Sequence, residues 1–546
     1  MRLVERRIGL LFALFLFLLA MAGLRATWLG TVRASSLKQR AATQQVEDLA
    51  MPAQRGTISD RHGVELAVSE DAVTVFANPF LIKNPARVAA KLAPLTGLDS
   101  DELLRKISNR HTGFVYLKRK LDADRGAKVR RLRIEGIGTV DEPKRTYPQG
   151  ELATQLIGSV GTDNYGLSGL EQEHEKALHG EDGKRKLVKD ALGEPVNLVE
   201  VKRAKAGRDM RLTIDAAIQE RTEAVLADVG KTFQPRGATA LVMDPRTGEI
   251  LALANWPHPA EDMSSEEAAY ASQNRAVGAS YEPGSTFKAF TVSGALEEKL
   301  ISPSTMFSLP PTIRVADREI KEAHDRGGVS LTTAQILAQS SNVGSVMIGL
   351  KLGATKFDRY IRRFGFGRPT GVDLPGEQQG ILLRPKNYSG SSMGNMPIGQ
   401  GLAVTPIQMA TAYTAVANHG VLRSPYVIQG HQRPGRRVIS AHTADSVSHM
   451  LEGVLGPGGT AQEASIDGYK LAGKTGTAEK PDQFGGYSKT KFVASFIGYA
   501  PARNPRLLVA VMVDEPKGEI YGGVVAAPAF QKIAEFALPY LRIPPR

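Results

Sequence analysis

Glu282-Pro283-Gly284-Ser285-Thr286-Phe287-Lys288 sets a serine and a lysine three positions apart, directly behind a Pro-Gly break. From Phe287 to Leu300 the chain then carries apolar residues at Phe287, Phe290, Val292, Ala295 and Leu296 without a proline, which is the pattern of a helix. Ser285 therefore stands at a helix N-terminus. Its side chain and that of Lys288, at i and i+3, share a face, and the free N–H groups and positive dipole end point at the same spot. That geometry suits a nucleophile, its base and an oxyanion site. A plain serine N-cap beside an ordinary surface lysine fits these seven residues equally well.

What tips the balance lies downstream. Ser340-Ser341-Asn342 and Lys474-Thr475-Gly476-Thr477 complete a set in the order S-x-x-K, S-x-N, K-T-G, the signature of acyl transfer through a serine ester. Each element alone is weak. S-x-x-K also occurs at Ser35 to Lys38, just after an apolar N-terminal segment, and at Ser488 to Lys491, in a polar, Gly-rich stretch expected to be a loop. S-x-N occurs again at Ser272 to Asn274, ahead of Ser285 and so in the wrong order. K-T-G occurs once, after Leu471, Ala472 and Gly473, in the context of a strand edge.

Charge assigns the candidate roles. A lysine with an ordinary pKa near ~10.4 cannot take the serine proton at neutral pH, so Lys288 must be held neutral by burial, the helix dipole and a second cation. Lys474 is the candidate cation, or else it steers the carboxylate end of a peptide. Thr475 and Thr477 would donate hydrogen bonds to substrate beside Gly476, Ser340 would relay the proton, and Asn342 would orient Lys288 and the substrate amide. Ser340 to Asn342 also reads as a helix N-cap before Val343, Val346, Met347 and Leu350.

The chain resembles the class B high-molecular-weight penicillin-binding proteins over nearly its whole length. Arg55-Gly56-Thr57-Ile58-Ser59-Asp60-Arg61-His62-Gly63 is similar to that family's R-G-x-I-x-D-R-x-G opening. Arg145 to Pro148, Gly158 and Gly169-Leu170-Glu171 resemble its pedestal. Gly399-Gln400-Gly401 with Val404, Thr405, Pro406 and Gln408 resembles its transpeptidase domain. Total length, the short N-terminus and Ile320-Lys321 are most like the division group (FtsI, penicillin-binding protein 3). Sporulation relatives of the SpoVD type are close around Ala472 to Ala478, and elongation enzymes fit less well. The resemblance implies a D,D-transpeptidase cross-linking peptidoglycan stem peptides at the septum, with penicillins acylating the same Ser285. It also implies a separate glycosyltransferase of the SEDS class, FtsW for a division enzyme, among other divisome partners. Arg61 and Glu171 are expected to be exposed on the pedestal.

Composition bounds the remaining possibilities. The 546 residues are 42% hydrophobic and 23% charged, ordinary for two or three globular domains. Zero cysteines exclude disulfides, a thiol nucleophile and thiolate metal sites, and the ten histidines include no H-E-x-x-H, so no metal or cofactor is expected. His324, next to Asp325, reads as a solvated loop residue. The net charge of +13 points to anionic head groups or acidic wall polymers, since the basic clusters at Arg130, Arg131, Arg133 and at Lys184 to Lys186 lack interleaved aromatics and no nucleic-acid motif is present.

Ile8 to Leu24 is free of charge and Ala26 to Leu29 extends it, long enough at ~17 to 22 residues to cross a bilayer. Arg2, Arg6 and Arg7 predict a cytoplasmic N-terminus with the catalytic domain outside. Ala20-Met21-Ala22 mimics a signal-peptidase site, but the run exceeds the ~7 to 15 residues of a signal core. The expected organisation is a tail (1–7), a membrane helix (8–29), a juxtamembrane linker with a short helix (30–50), an α+β pedestal (51–206) and a transpeptidase domain (207–546). In the last, strands Thr239 to Met243, Glu249 to Ala254, Phe492 to Tyr499 and Leu507 to Val513 frame an intervening helical region, an α+β fold with an antiparallel sheet carrying Lys474 at its edge. By resemblance this is the penicilloyl-serine transferase fold. A β-lactamase would use the same triple but has no use for a pedestal. A penicillin sensor would need a cytoplasmic effector, and an inert scaffold would not keep all three elements.

Overall fold

The computed structural model describes residues 2–31, 46–189, 195–324, 327–482 and 485–545. One helix, Arg2–Thr31, holds the apolar N-terminal run, and no residue of its apolar portion within Arg7–Thr31 is buried by protein. At about 1.5 Å per residue those 25 residues reach roughly 37 Å, more than a bilayer's hydrocarbon core. Most of the expected juxtamembrane helix, together with Ser35, lies outside the described residues. Its last part is not helical: Val46–Met51 is a strand, paired antiparallel with Gly183–Lys189, which in turn pairs with Pro195–Lys202. A polar run without glycine or proline permits a helix, but strand pairing overrides that weak preference.

The chain forms two compact units that do not follow sequence order. One comprises Met1–Arg55, Glu70–Lys144 and His179–Gly207; the other comprises Gly56–Ser69, Arg145–Leu178 and Arg208–Arg546.

In the first unit Ala72 to Ala77 pairs antiparallel with the strand Val115–Asp122. The helices Pro85–Thr96 and Ser100–Ile107 close over that sheet, burying Leu92, Leu103 and Ile107 with Val75, Leu117 and Val129. Both helices start at a side-chain cap. Asn84 accepts from Arg87 N, and Asp99 accepts from the N–H groups of Asp101 and Glu102.

The second unit is built on a five-stranded antiparallel sheet. Its strands run in the spatial order Ile250–Trp256, Gly237–Met243, Leu507–Asp514, Tyr487–Ala500 and Ala472–Pro481. Gly237–Met243 is buried at every position, as a strand covered on both faces must be. The helices Ala216–Phe233 and Ala527–Tyr540 form one covering layer, while Pro406–Ala417 and Ala441–Glu452 belong to the other. Lys288–Glu297, packed among Asn342–Leu352, Ala354–Arg363 and Ala441–Glu452, is buried over nearly its whole length.

The two sequence signatures of the pedestal pack inside this second unit and act structurally there. Asp60 accepts from the N–H groups of His62 (2.7 Å) and Val64 (2.8 Å), closing the turn, and its other oxygen accepts from Ala216 N at 3.1 Å. Glu171 is not on the surface: its side chain is 0% exposed and pairs with the Arg145 guanidinium at 2.6 Å. Arg145 also donates to the Gly56 carbonyl at 2.9 Å, tying the two signatures together. The glutamate falls in a helical turn, Gly169–Glu173, whose burial no local spacing announces. Arg61 is partly buried and reaches Glu249 at 3.3 Å.

Removing one partner of a buried ion pair strands the other charge, at about 3–5 kcal/mol, whereas replacing both with apolar groups of similar volume is often neutral. Glu171→Ala is therefore expected to lower the urea midpoint of unfolding sharply, and Arg145→Met with Glu171→Leu to recover most of the loss. Equal destabilisation by the single and double changes would show that the pair is not what holds these segments.

Candidate active site

Ser285 lies in a 3-10 turn, Gly284–Phe287, which runs directly into the helix Lys288–Glu297. The turn is held from three sides. Gly284 takes φ +53°, a left-handed conformation that favours glycine, and its N–H donates to the Gly399 carbonyl at 3.0 Å. The Tyr413 hydroxyl, from the helix Pro406–Ala417, donates to the Thr286 carbonyl at 2.7 Å. Gly476, on the edge strand, lies so close that a Cβ there would come within 2.9 Å of Thr286 Cγ2. The glycine of K-T-G is thus the residue that lets the strand approach the serine turn. Ser285 itself remains half-buried between fully buried neighbours.

Lys288 is 0% exposed. Its Nζ donates to the Ser340 carbonyl at 2.6 Å and to Asn342 Oδ1 at 2.7 Å, and lies 3.3 Å from Ser340 Oγ. S-x-x-K and S-x-N are therefore one hydrogen-bonded cluster. Ser340 reaches it by adopting φ +58°, at a cost on the order of 1 kcal/mol for a residue other than glycine, which turns its carbonyl and hydroxyl to the same ammonium. The N-cap of the helix Asn342–Leu352 is the middle serine, Ser341, whose Oγ accepts from Gly344 N.

Lys474, also 0% exposed, sits on the edge strand with Nζ 3.2 Å from both the carbonyl and the Oγ1 of Thr475. Burial, and then the charge of Lys288, hold its ammonium well below the usual lysine range. Two lysines in one buried site repel, so the pair favours carrying fewer protons than two separate lysines would. Thr475 Oγ1 is 2.7 Å from Thr460 Oγ1, and Thr477 Oγ1 accepts from Gly522 N at 3.1 Å, leaving the Thr477 hydroxyl proton available to a bound group.

Sequence reasoning missed Glu322. One carboxylate oxygen accepts from Ser341 Oγ at 2.6 Å and the other from Asn342 N at 2.7 Å, while Asn342 Nδ2 donates to the Lys321 carbonyl at 2.8 Å. An acid at a helix N-terminus is favourable on dipole grounds, but this one comes from a hairpin twenty residues away. The only signal available was an acid following Ile320 and Lys321. His324 is exposed in a bend, as expected, with its ring centroid 5.4 Å from that of Tyr521, next to Gly522. The competing motifs serve other ends. Ser488 is in the strand Tyr487–Ala500 rather than a loop and accepts from Thr490 and Lys491 N–H, and Ser272 donates to the Ala268 carbonyl.

Residues 238–535 match the family model of the penicillin binding protein transpeptidase domain, and residues 50–212 that of the penicillin-binding protein dimerisation domain. Stage V sporulation protein D of Bacillus subtilis is 34% identical over 98% of this chain and 86% of its own length. Peptidoglycan D,D-transpeptidase FtsI of Escherichia coli is 31% identical over 99% of this chain and 93% of its own. A crystal structure of penicillin binding protein 3 from Mycobacterium tuberculosis, complexed with aztreonam, superposes with a TM-score of 0.71 at 28% identity, covering 91% of this chain and 98% of that one. With both domain models, full-length relatives and the lysine cluster in agreement, the chain belongs to the class B penicillin-binding proteins.

Proposed function

We propose that this chain is a peptidoglycan D,D-transpeptidase of cell division, a target of penicillins, with Ser285 as the nucleophile. The observation that carries the reading is the cluster around Lys288, which unites S-x-x-K and S-x-N through Ser340 and Asn342. In the forward step Ser285 Oγ attacks the carbonyl of the penultimate D-Ala, and its proton passes to Lys288 in its neutral form. Ser340 relays a proton to the leaving amine, and terminal D-Ala departs. An amine of a neighbouring stem peptide then attacks the ester, forming the cross-link and returning the serine. Lys474 and the Thr475 and Thr477 hydroxyls receive the substrate's carboxylate. The open side of Ala472–Pro481 offers backbone groups to a peptide lying as a further strand. Glu322 acts as a positioning residue, holding Asn342 against Lys288.

The apolar helix Arg7–Thr31 fits a single-pass anchor. The basic residues before it put the N-terminus in the cytoplasm and the enzyme outside. The domain organisation read from the sequence makes residues 51–206 a pedestal, and such a module without chemistry of its own serves to dock a SEDS-class polymerase such as FtsW. Identity to FtsI and to the sporulation protein is comparable, so a sporulation role is the second reading. A fluorescent fusion followed through the cell cycle separates them, by septal enrichment in every dividing cell or only in sporulating ones.

A fluorescent penicillin is expected to label the wild-type protein covalently and to leave Ser285→Ala unlabelled, while Ser35→Ala and Ser488→Ala label normally. Labelling of Ser285→Ala would remove Ser285 from the nucleophile role.

Lys288→Arg should lose acylation by roughly a hundredfold or more, because a guanidinium keeps its proton and cannot serve as base. Lys474→Arg should be milder and diagnostic in its pH profile. With its pKa depressed by burial, Lys474 loses its charge as pH rises through that lowered value, whereas arginine does not. The alkaline fall in acylation rate should therefore move to higher pH in Lys474→Arg. An unmoved alkaline limb would show that the charge of Lys474 is not what the reaction uses.

Glu322→Gln keeps the shape but leaves one acceptor oxygen, so one bond to the Ser341–Asn342 turn is weakened and the other lost as an acceptor, and acylation should slow by about tenfold, or ~1.4 kcal/mol of barrier. Thermal stability near that of wild type with a shifted pH profile would mark positioning of Lys288. An unchanged profile would reduce Glu322 to a helix cap.

A further inference from the structure

Away from the nucleophile cluster a cavity of about 320 Å³ opens between the end of the helix Ala354–Arg363, the helix Pro406–Ala417 and the segment around Arg433 to Arg436. None of the residues assigned to the reaction lines it. Three arginines do: Arg368, Arg433 and Arg436. Neighbouring Arg359 and Arg362 are paired with Glu298 and Asp358. Among the described residues the three that line the cavity have no carboxylate partner. Glu377, the acid beside the rim, is occupied: one oxygen accepts from Thr370 N and Oγ1, the other from Gly371 N at 3.0 Å. Arg433 Nη1 lies against Gly371, and Arg436 donates to the Arg363 carbonyl at 2.6 Å. Burial, followed by the charges of Arg368 and Arg363, pushes the Arg436 guanidinium below its usual range, so Arg368 lies close enough to oppose it.

From its inner side the cavity is lined by Thr411, 4% exposed, whose buried hydroxyl finds no hydrogen-bond partner among the described residues. Three guanidinium groups without counter-charge around one cavity present positive charge that an anion can answer, and a buried hydroxyl left unsatisfied is costly unless a ligand bonds to it. Planar guanidinium forks match phosphate oxygens in particular, and three positive charges suit a diphosphate better than a monoester. We propose that this cavity is a binding site for a phosphate-class anion, with the Arg368, Arg433 and Arg436 guanidinium groups as its clamp and Thr411 as its inner hydroxyl.

The test titrates sodium diphosphate calorimetrically into the full-length protein in a neutral detergent at ~0.15 M salt, where unspecific surface attraction is largely screened. One equivalent should bind. Arg368→Gln with Arg433→Gln, both exposed, should weaken binding by about tenfold or more, and Thr411→Val by about threefold. Penicillin acylation should stay at the wild-type rate in all of them, which also certifies their folding. Repeating the titration in nanodiscs with and without phosphatidylglycerol identifies the natural source. Weaker apparent diphosphate binding in the anionic discs assigns the cavity to a lipid head group; equal binding assigns it to a soluble phosphate ester. Failure of wild type to bind diphosphate, or binding that survives the double substitution, overturns the site.

Discussion

A buried lysine must be given oxygen acceptors or surrender its proton, and this chain buries two in one site. Lys288 and Lys474 are both 0% exposed, and each answers the constraint differently. Lys288 is supplied with a carbonyl and an amide oxygen at 2.6 and 2.7 Å, whereas Lys474 has two oxygens of Thr475 at 3.2 Å and a depressed affinity for its proton. The short bonds hold Lys288 in place, while burial and the charge of Lys288 favour loss of a proton at Lys474. In the proposed reaction the base holds a proton in one half-reaction and is free of it in the next, which a pair of mutually repelling buried lysines suits.

Much of the surrounding architecture meets that requirement. The left-handed Ser340 brings two acceptors to one ammonium, Glu322 fixes the turn that carries them, and Gly476 lets the edge strand bring Lys474 up to the serine turn. Tyr413 extends the arrangement into the helical layer by binding the carbonyl of Thr286. These contacts link three parts of the sequence that lie far apart, and each would be lost by a shift of an ångström. Rigidity is here a condition of reactivity.

The sheet strands and the helix after Ser285 were readable because hydrophobic periodicity reports them directly. Gly237–Met243 and Leu507–Asp514 fall within a few residues of the sequence-based bounds, and Lys474 stands on the edge strand as expected. The order of the three motifs identified which serine to weigh. What could not be read depended on long-range partners. Glu322 belongs to the site through bonds to residues about twenty positions on, and Glu171 is buried because Arg145 lies beside it. Val46–Met51 looked helical because its strand partner, Gly183–Lys189, is far along the chain. The compact units divide differently from the chain order for the same reason: segments 56–69 and 145–178 are held in the second by contacts that no local pattern encodes.

The edge strand Ala472–Pro481 has a further consequence. An edge that pairs with no further strand among the described residues, and that is proposed to receive a peptide, is equally ready to receive the same edge of another copy, the first step of ordered self-association. Two features blunt it. Pro481 ends the strand with a residue that has no N–H to offer, and the charge of Lys480, though paired with Asp514 and Glu515, stands next to it. Gly473 and Gly476 add little side-chain surface for a second sheet to grip. The enzyme can thus leave one sheet margin open while remaining a poor template for its own polymerisation.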